Sequence, residues 1–101
     1  AEISPRMKIV FKAPAQQELD DAFTWYEEQL SGLGYRFVDA FSRTIDRIGR
    51  FPEGAALKAN GARHAIVSGF PYGVWYVCEN ETIVIYAVAH LQREPLYWAD
   101  R

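Results

Sequence analysis

The 101-residue sequence has one cysteine, two histidines, no excess of positive charge and no long apolar run. A single cysteine, Cys78, excludes an internal disulfide, and it is expected as a small buried hydrophobe. His64 and His90 stand far apart, neither in ligand spacing with Cys78 or a carboxylate pair, so no metal site is expected. No apolar stretch approaches the roughly 20 residues that span a bilayer, and no signal-peptide pattern opens the chain. The expected location is cytoplasmic, without membrane contact. A net charge of −2 excludes wrapping nucleic acid through global charge and leaves only a local patch for such contact. There is no GxSxG, no phosphate-cradling glycine loop and no zinc-hydrolase helix, and no cofactor is implied.

What is present is the composition of an ordinary globular protein, 50% hydrophobic and 24% charged. The length supports one small domain with one core. "AEISPR", residues 1–6, precedes Met7 without periodicity and is expected to be a tag or leader remnant, leaving 7–101 as the domain.

Lys8 to Lys12 alternates like a strand. Pro14 then signals a helix start, and Leu19, Phe23, Tyr26 and Leu30 recur on one stripe up to Ser31-Gly32-Leu33-Gly34, where Gly32 suits a left-handed cap. A second helix is expected over Tyr35–Arg50, with Phe37, Val38, Phe41, Ile45 and Ile48 on one side and Pro52 beyond its end. Glu53 to Ala62 is expected as a loop. Three strands follow, Arg63–Val67, Tyr72–Glu79 and Thr82–His90, with connections short enough only for antiparallel neighbours. The predicted fold is α+β, in the order β-α-α-β-β-β, an antiparallel sheet with a helical hairpin on one face.

The last two strands are apolar on both faces, Val74, Tyr76 and Cys78 opposing Trp75 and Val77, and Ile83, Ile85, Ala87 and Ala89 opposing Val84, Tyr86 and Val88. Such a sheet is covered twice. The helices cover one face; the aromatic C-terminal tail, self-association or another protein must cover the second.

Arg36, Arg43, Arg47 and Arg50 fall on one face of the second helix. They are either the solvated side of an amphipathic helix, tied by Asp39–Arg43 and Asp46–Arg50, or a contact for nucleic acid or an acidic partner. Asp20-Asp21 and Glu27-Glu28 point apart as helix neighbours and are expected as solvated charge. The segment "AVAHLQREPLYWADR" brings together a histidine, arginines and rings. These residues suit metal-free RNA cleavage, with arginine on phosphate and imidazole moving a proton; they suit equally a tail that closes the sheet. Within "FPYGVWYV", Gly73 interrupts an otherwise apolar strand and is expected as a weak point or bulge.

From Met7 to Arg101 the sequence resembles the RelE/ParE superfamily of toxins from bacterial type II toxin–antitoxin systems. The resemblance rests on "APAQQELDDAFTWYEEQLSGLGYRFVDAF", "RFP", Arg63, "FPYGVWY" and the ending "AH..R.P.YW..R". It implies a small cytoplasmic toxin in a hetero-oligomer with a cognate antitoxin, which the sheet and hairpin groove would bind through Phe23, Tyr26, Trp75 and Tyr86. RelE-like members are ribosome-dependent mRNA endonucleases, whereas ParE-like members poison DNA gyrase without a basic catalytic set. The RelE pattern places an arginine where this chain has Gly73 and lysines where it has His64 and Ile66; only Arg93 is matched. The resemblance therefore implies the ParE branch, with gyrase as target and Arg93, Pro95, Tyr97, Trp98 and Arg101 as an exposed target-binding tail. The alternative is an mRNA endonuclease acting on the ribosome through Arg63, His90 and Arg93.

Overall fold

A computed structural model describes residues 7–101; the expected tag or leader remnant, residues 1–6, lies outside them. Strand β1 (Lys8–Phe11) leads into helix α1 (Ala13–Gln29) and helix α2 (Leu33–Arg50), followed by β2 (Ala56–Leu57), β3 (Arg63–Ile66), β4 (Tyr72–Glu79) and β5 (Thr82–His90). Pro14 occupies the first turn of α1, where its missing N–H leaves no orphan donor. The link to α2 turns on Gly32 at φ +91°, a left-handed conformation that glycine takes without a Cβ penalty. Gly32 serves there as the N-cap of α2 rather than as the C-terminal cap of α1. Glu27 caps α2 from the preceding helix, its carboxylate accepting from the N–H groups of Gly32 at 2.8 Å and Gly34 at 2.9 Å. It is thus a structural acceptor and not merely solvated charge.

The sheet order is β1-β5-β4-β3-β2, and it is mixed rather than antiparallel, because β1 pairs parallel with β5. The helical hairpin supplies the long crossover that a parallel pair requires. The stretch expected as a loop contains β2 and a short 3-10 turn at Ala59–Gly61, and β2 forms the far edge against β3. Between the sheet and the hairpin lies the main core, including Phe37, Phe41, Ile48, Val74, Tyr76, Ile83, Ile85 and Val88. Leu30, expected on the buried stripe, is 58% exposed because the helix has already ended at Gln29.

The β4–β5 ladder departs from regular alternation. Trp75 faces Ala87, but the next pair is Tyr76 with Ile85, so Tyr86 is an extra residue on β5. Such a bulge resets the faces beyond it. Val88 consequently joins Ile83 and Ile85 beneath the helices, whereas Ala87 joins Trp75 on the opposite face. The expected grouping of Ala87 with Ile83 and Ile85 is corrected accordingly. Cys78 is exposed near the β4 end, not buried.

Candidate functional site

The helix-free face of the sheet is closed by the chain's own tail. Trp98, only 3% exposed, packs into a second core with Ala62, Trp75 and Ala87. Its ring lies 5.5 Å from that of Trp75 and 5.4 Å from that of Tyr86. Trp98 thus bridges two expected contact residues, Trp75 and Tyr86, and is a buried anchor instead of an exposed one.

The tail is fastened by Glu18 of α1, a residue that sequence reasoning missed. Strand β1 ends at Phe11, opposite Ile85, and leaves the β5 edge bare from Tyr86 onward. There the Glu18 carboxylate accepts from the Val88 N–H at 3.0 Å, and Arg101 donates to the Tyr86 carbonyl at 3.0 Å. Arg101 also donates twice to Glu18, at 2.8 and 3.0 Å, and the Tyr97 hydroxyl donates to it at 2.5 Å. Both members of the ion pair are about a fifth exposed, which strengthens it relative to a surface pair. Burial alone would raise the Glu18 carboxyl, but hydrogen bonds from Arg101, Tyr97 and Val88 outweigh it and hold the group below its ordinary value. Burial and the same carboxylate push the Tyr97 hydroxyl far upward. The Tyr97 ring carries the Arg93 guanidinium at 3.9 Å and that of Arg101 at 4.9 Å.

Among the tail residues, Arg93 and Pro95 are exposed, while Tyr97 and Arg101 are half-buried in this clasp. Arg93 and His90 line one cleft of about 320 Å³ with Glu18, Asp21, Trp25 and Tyr72. The His90 Nδ1 accepts from the Gln92 N–H at 3.1 Å. Arg63 is elsewhere: its guanidinium donates to the Ala55 carbonyl at 2.8 Å and the Glu53 carbonyl at 3.3 Å. In register it stands opposite Tyr76, whereas His90 stands opposite Tyr72 across β4. At strand rise and spacing the two backbones are roughly 16 Å apart. Arg63, His90 and Arg93 do not form one constellation.

Gly73 is buried between Ile66 of β3 and Ala89 of β5. A Cβ built there would lie 2.1 Å from the His64 Nε2 and 2.7 Å from its Cε1. The imidazole fills the space above the glycine and stacks on Trp75 with centroids 4.3 Å apart. Burial, assisted by the nearby Lys58 charge, lowers the His64 pKa and favours the neutral ring. Gly73 is therefore a close-approach site, and the bulge of this ladder is on β5 instead.

On α2, Arg43 pairs with Asp39 at 2.6 Å and Arg50 with Asp46 at 3.0 Å, the solvated-face arrangement. Of the expected α1 contacts, Tyr26 is buried and Phe23 half-buried against Tyr35. The exposed rings are instead Trp25, Tyr35 and Phe51, at 54%, 67% and 65%. The helical stripe that identified Tyr26 as core also places Trp25 off that stripe, a signal sufficient to have found it.

A helical hairpin on a mixed five-stranded sheet, with a tail folded back over the free face, defines a small α+β domain. A solved structure described as "Chromosomal ParDE TA system from P. aeruginosa" shares it with a TM-score of 0.75 and 15% identity, over 86% of this chain and 98% of that one. At that identity the likeness establishes the fold. The family profile described as "ParE toxin of type II toxin-antitoxin system, parDE" matches residues 9–95, and the chain belongs to this family. No curated protein matches the sequence. Among the described residues no helix is long and apolar enough to cross a membrane.

Proposed function

We propose that this type II toxin acts in the cytoplasm by binding and inhibiting DNA gyrase, and that a cognate antitoxin neutralises it. The observation that carries the choice of a binding toxin over a cutting one is the His64 imidazole lying where a side chain at position 73 would have to pass. A nuclease of the RelE pattern needs a phosphate-binding arginine at that position, and single contacts of this kind are worth about 10²–10³ in rate. The target-facing surface is the exposed part of the tail, with Arg93 as charge contact and Pro95 directing the chain. Tyr97, Trp98 and Arg101 hold that surface in shape. The antitoxin covers the α1 side of the sheet, where Trp25 is exposed beside Tyr26.

The alternative, a ribosome-dependent mRNA endonuclease, is favoured by one observation, the shared cleft of His90 and Arg93. A paired assay decides between them. Purified toxin is expected to inhibit gyrase supercoiling and leave ribosome-bound mRNA intact, with Arg93→Ala about tenfold less potent at unchanged fold. Cleavage of mRNA that disappears in His90→Ala would overturn the gyrase assignment.

A further inference from the structure

We propose that a groove between α1 and the adjoining ends of β4 and β5 receives a lysine or arginine side chain from a protein partner. The groove, about 460 Å³, is lined by Trp25, Tyr26, Pro71, Tyr72 and His90. Its rings form a chain of edge-to-face contacts. Trp25 meets Tyr26 at 5.1 Å and 82°, Tyr26 meets Tyr72 at 5.9 Å and 62°, and Tyr72 meets His90 at 5.6 Å and 71°. Such a wall offers ring faces to an entering group, and a cation within about 6 Å of a ring centroid is attracted by the quadrupole.

The charge around the groove selects the sign of its occupant. Helix α1 carries Glu18, Asp20, Asp21, Glu27 and Glu28 and no lysine or arginine. Glu18 is paired with Arg101 and Glu27 caps the α2 N-terminus, while Asp20 and Asp21 accept only from the neutral amides of Gln16 and Gln17, at 3.2 and 2.8 Å, and keep their negative charge. Asp21 and Glu28 stand on either side of Trp25, four residues before it and three after, on one helical face. Asp21 lines the neighbouring cleft, which shares Trp25, Tyr72 and His90 with the groove. The one arginine of that cleft, Arg93, sits at the tail end with its guanidinium on the Tyr97 ring. An anionic segment would meet carboxylates at the α1 wall, whereas a lysine or arginine finds both a π surface and a countercharge. In a toxin of this family the partner is the antitoxin, an assignment that rests on the function proposed above.

The probe is a blocked Gly-Arg-Gly peptide titrated into the intact chain, compared with the same peptide carrying citrulline, which keeps the shape of arginine and lacks its charge. Heteronuclear NMR follows the three indole N–H signals and the ring resonances of Tyr26 and Tyr72. The arginine peptide is expected to shift the Trp25 signal saturably, with citrulline at least about fivefold weaker. Trp25→Ala should weaken binding by about 5- to 30-fold. Because Trp25 is half-exposed, its removal leaves the core intact; Asp21→Asn, expected to weaken binding by a few-fold, keeps the whole ring wall. Equal binding of citrulline, shifts confined to residues outside the groove, or no saturable shift into the millimolar range would each overturn the proposal. Because the titration involves no gyrase, a failure here with supercoiling still inhibited would reject the groove and leave the toxin assignment standing.

Discussion

At the scale of single residues, the fit of His64 over Gly73 is a collision avoided, and it can be measured as one. Gly73→Ala puts a Cβ within 2.1 Å of the His64 Nε2, so the imidazole must leave its stack on Trp75 or the strands must part. The expected loss is about 1–3 kcal/mol, the usual range for overpacking a tight site. In a His64→Ala background the obstacle is gone, and alanine should then gain about 0.5–1 kcal/mol over glycine for its smaller backbone entropy. Urea denaturation of the four proteins in this cycle supplies the coupling energy. An equal effect of Gly73→Ala in both backgrounds would mean that the imidazole is not what requires the glycine. The sequence showed that Gly73 was anomalous in its strand, but the cause sits in β3, nine residues earlier, and only register brings the two together. Cys78 shows the reverse: its hydrophobic character favoured burial, yet its position near the β4 end leaves it open to solvent.

At the scale of elements, helices and antiparallel pairs were legible because they are written in local periodicity and short connections. Tyr72–Glu79 and Thr82–His90 coincide with the expected strands, and α2 starts two residues before the expected Tyr35. The parallel docking of β1 on β5 was not legible, since it joins segments separated by the whole hairpin. Nor was the β5 bulge, whose extra residue is itself an apolar tyrosine that breaks no pattern. The Glu18 clasp depends on both of these: β1 ends early, the bulge displaces the ladder, and the bare β5 edge recruits a carboxylate from α1. Removing that carboxylate's charge with Glu18→Gln should cost about 1.5–3 kcal/mol, the range for hydrogen bonds to charged groups. The acid dependence has a defined sign. A folded-state pKa below the ordinary 4.5 means that the Glu18 contribution is complete above 4.5 and is lost as pH falls through the lowered value. The His64 pKa is likewise lowered, so its contribution begins to fall below its ordinary 6.5. Thermal unfolding across pH should therefore show two acid declines, the lower one absent in Glu18→Gln and the upper one absent in His64→Ala. A Glu18→Gln profile parallel to wild type would show that the clasp contributes nothing through its charge.

At the scale of the whole molecule, the sheet with two apolar faces is closed by residues 91–101, and the tail's first task is cover. Trp98 contributes nearly all of its surface to that cover, although its indole Nε1 has no hydrogen-bond partner among the described residues. Truncation to alanine should cost about 3–5 kcal/mol, a large share of the roughly 5–15 kcal/mol that holds a domain of this size together. Trp98→Phe separates packing from polarity, because it keeps an aromatic ring and deletes the unpaired N–H. It should cost less than about 1.5 kcal/mol, since the lost ring area is offset by removal of an unsatisfied buried donor. Deleting the tail after Gln92 goes further, uncovering Trp75 and Ala87, freeing the Tyr86 carbonyl at the β5 edge and leaving Glu18, still the acceptor of the Val88 N–H, without its cationic partner. An exposed apolar face beside a bare strand edge favours pairing between chains. Sedimentation velocity should accordingly find the shortened chain self-associated under conditions where Trp98→Phe matches wild type. A shortened chain that kept the wild-type sedimentation coefficient and stability would assign closure of this face to something other than the tail.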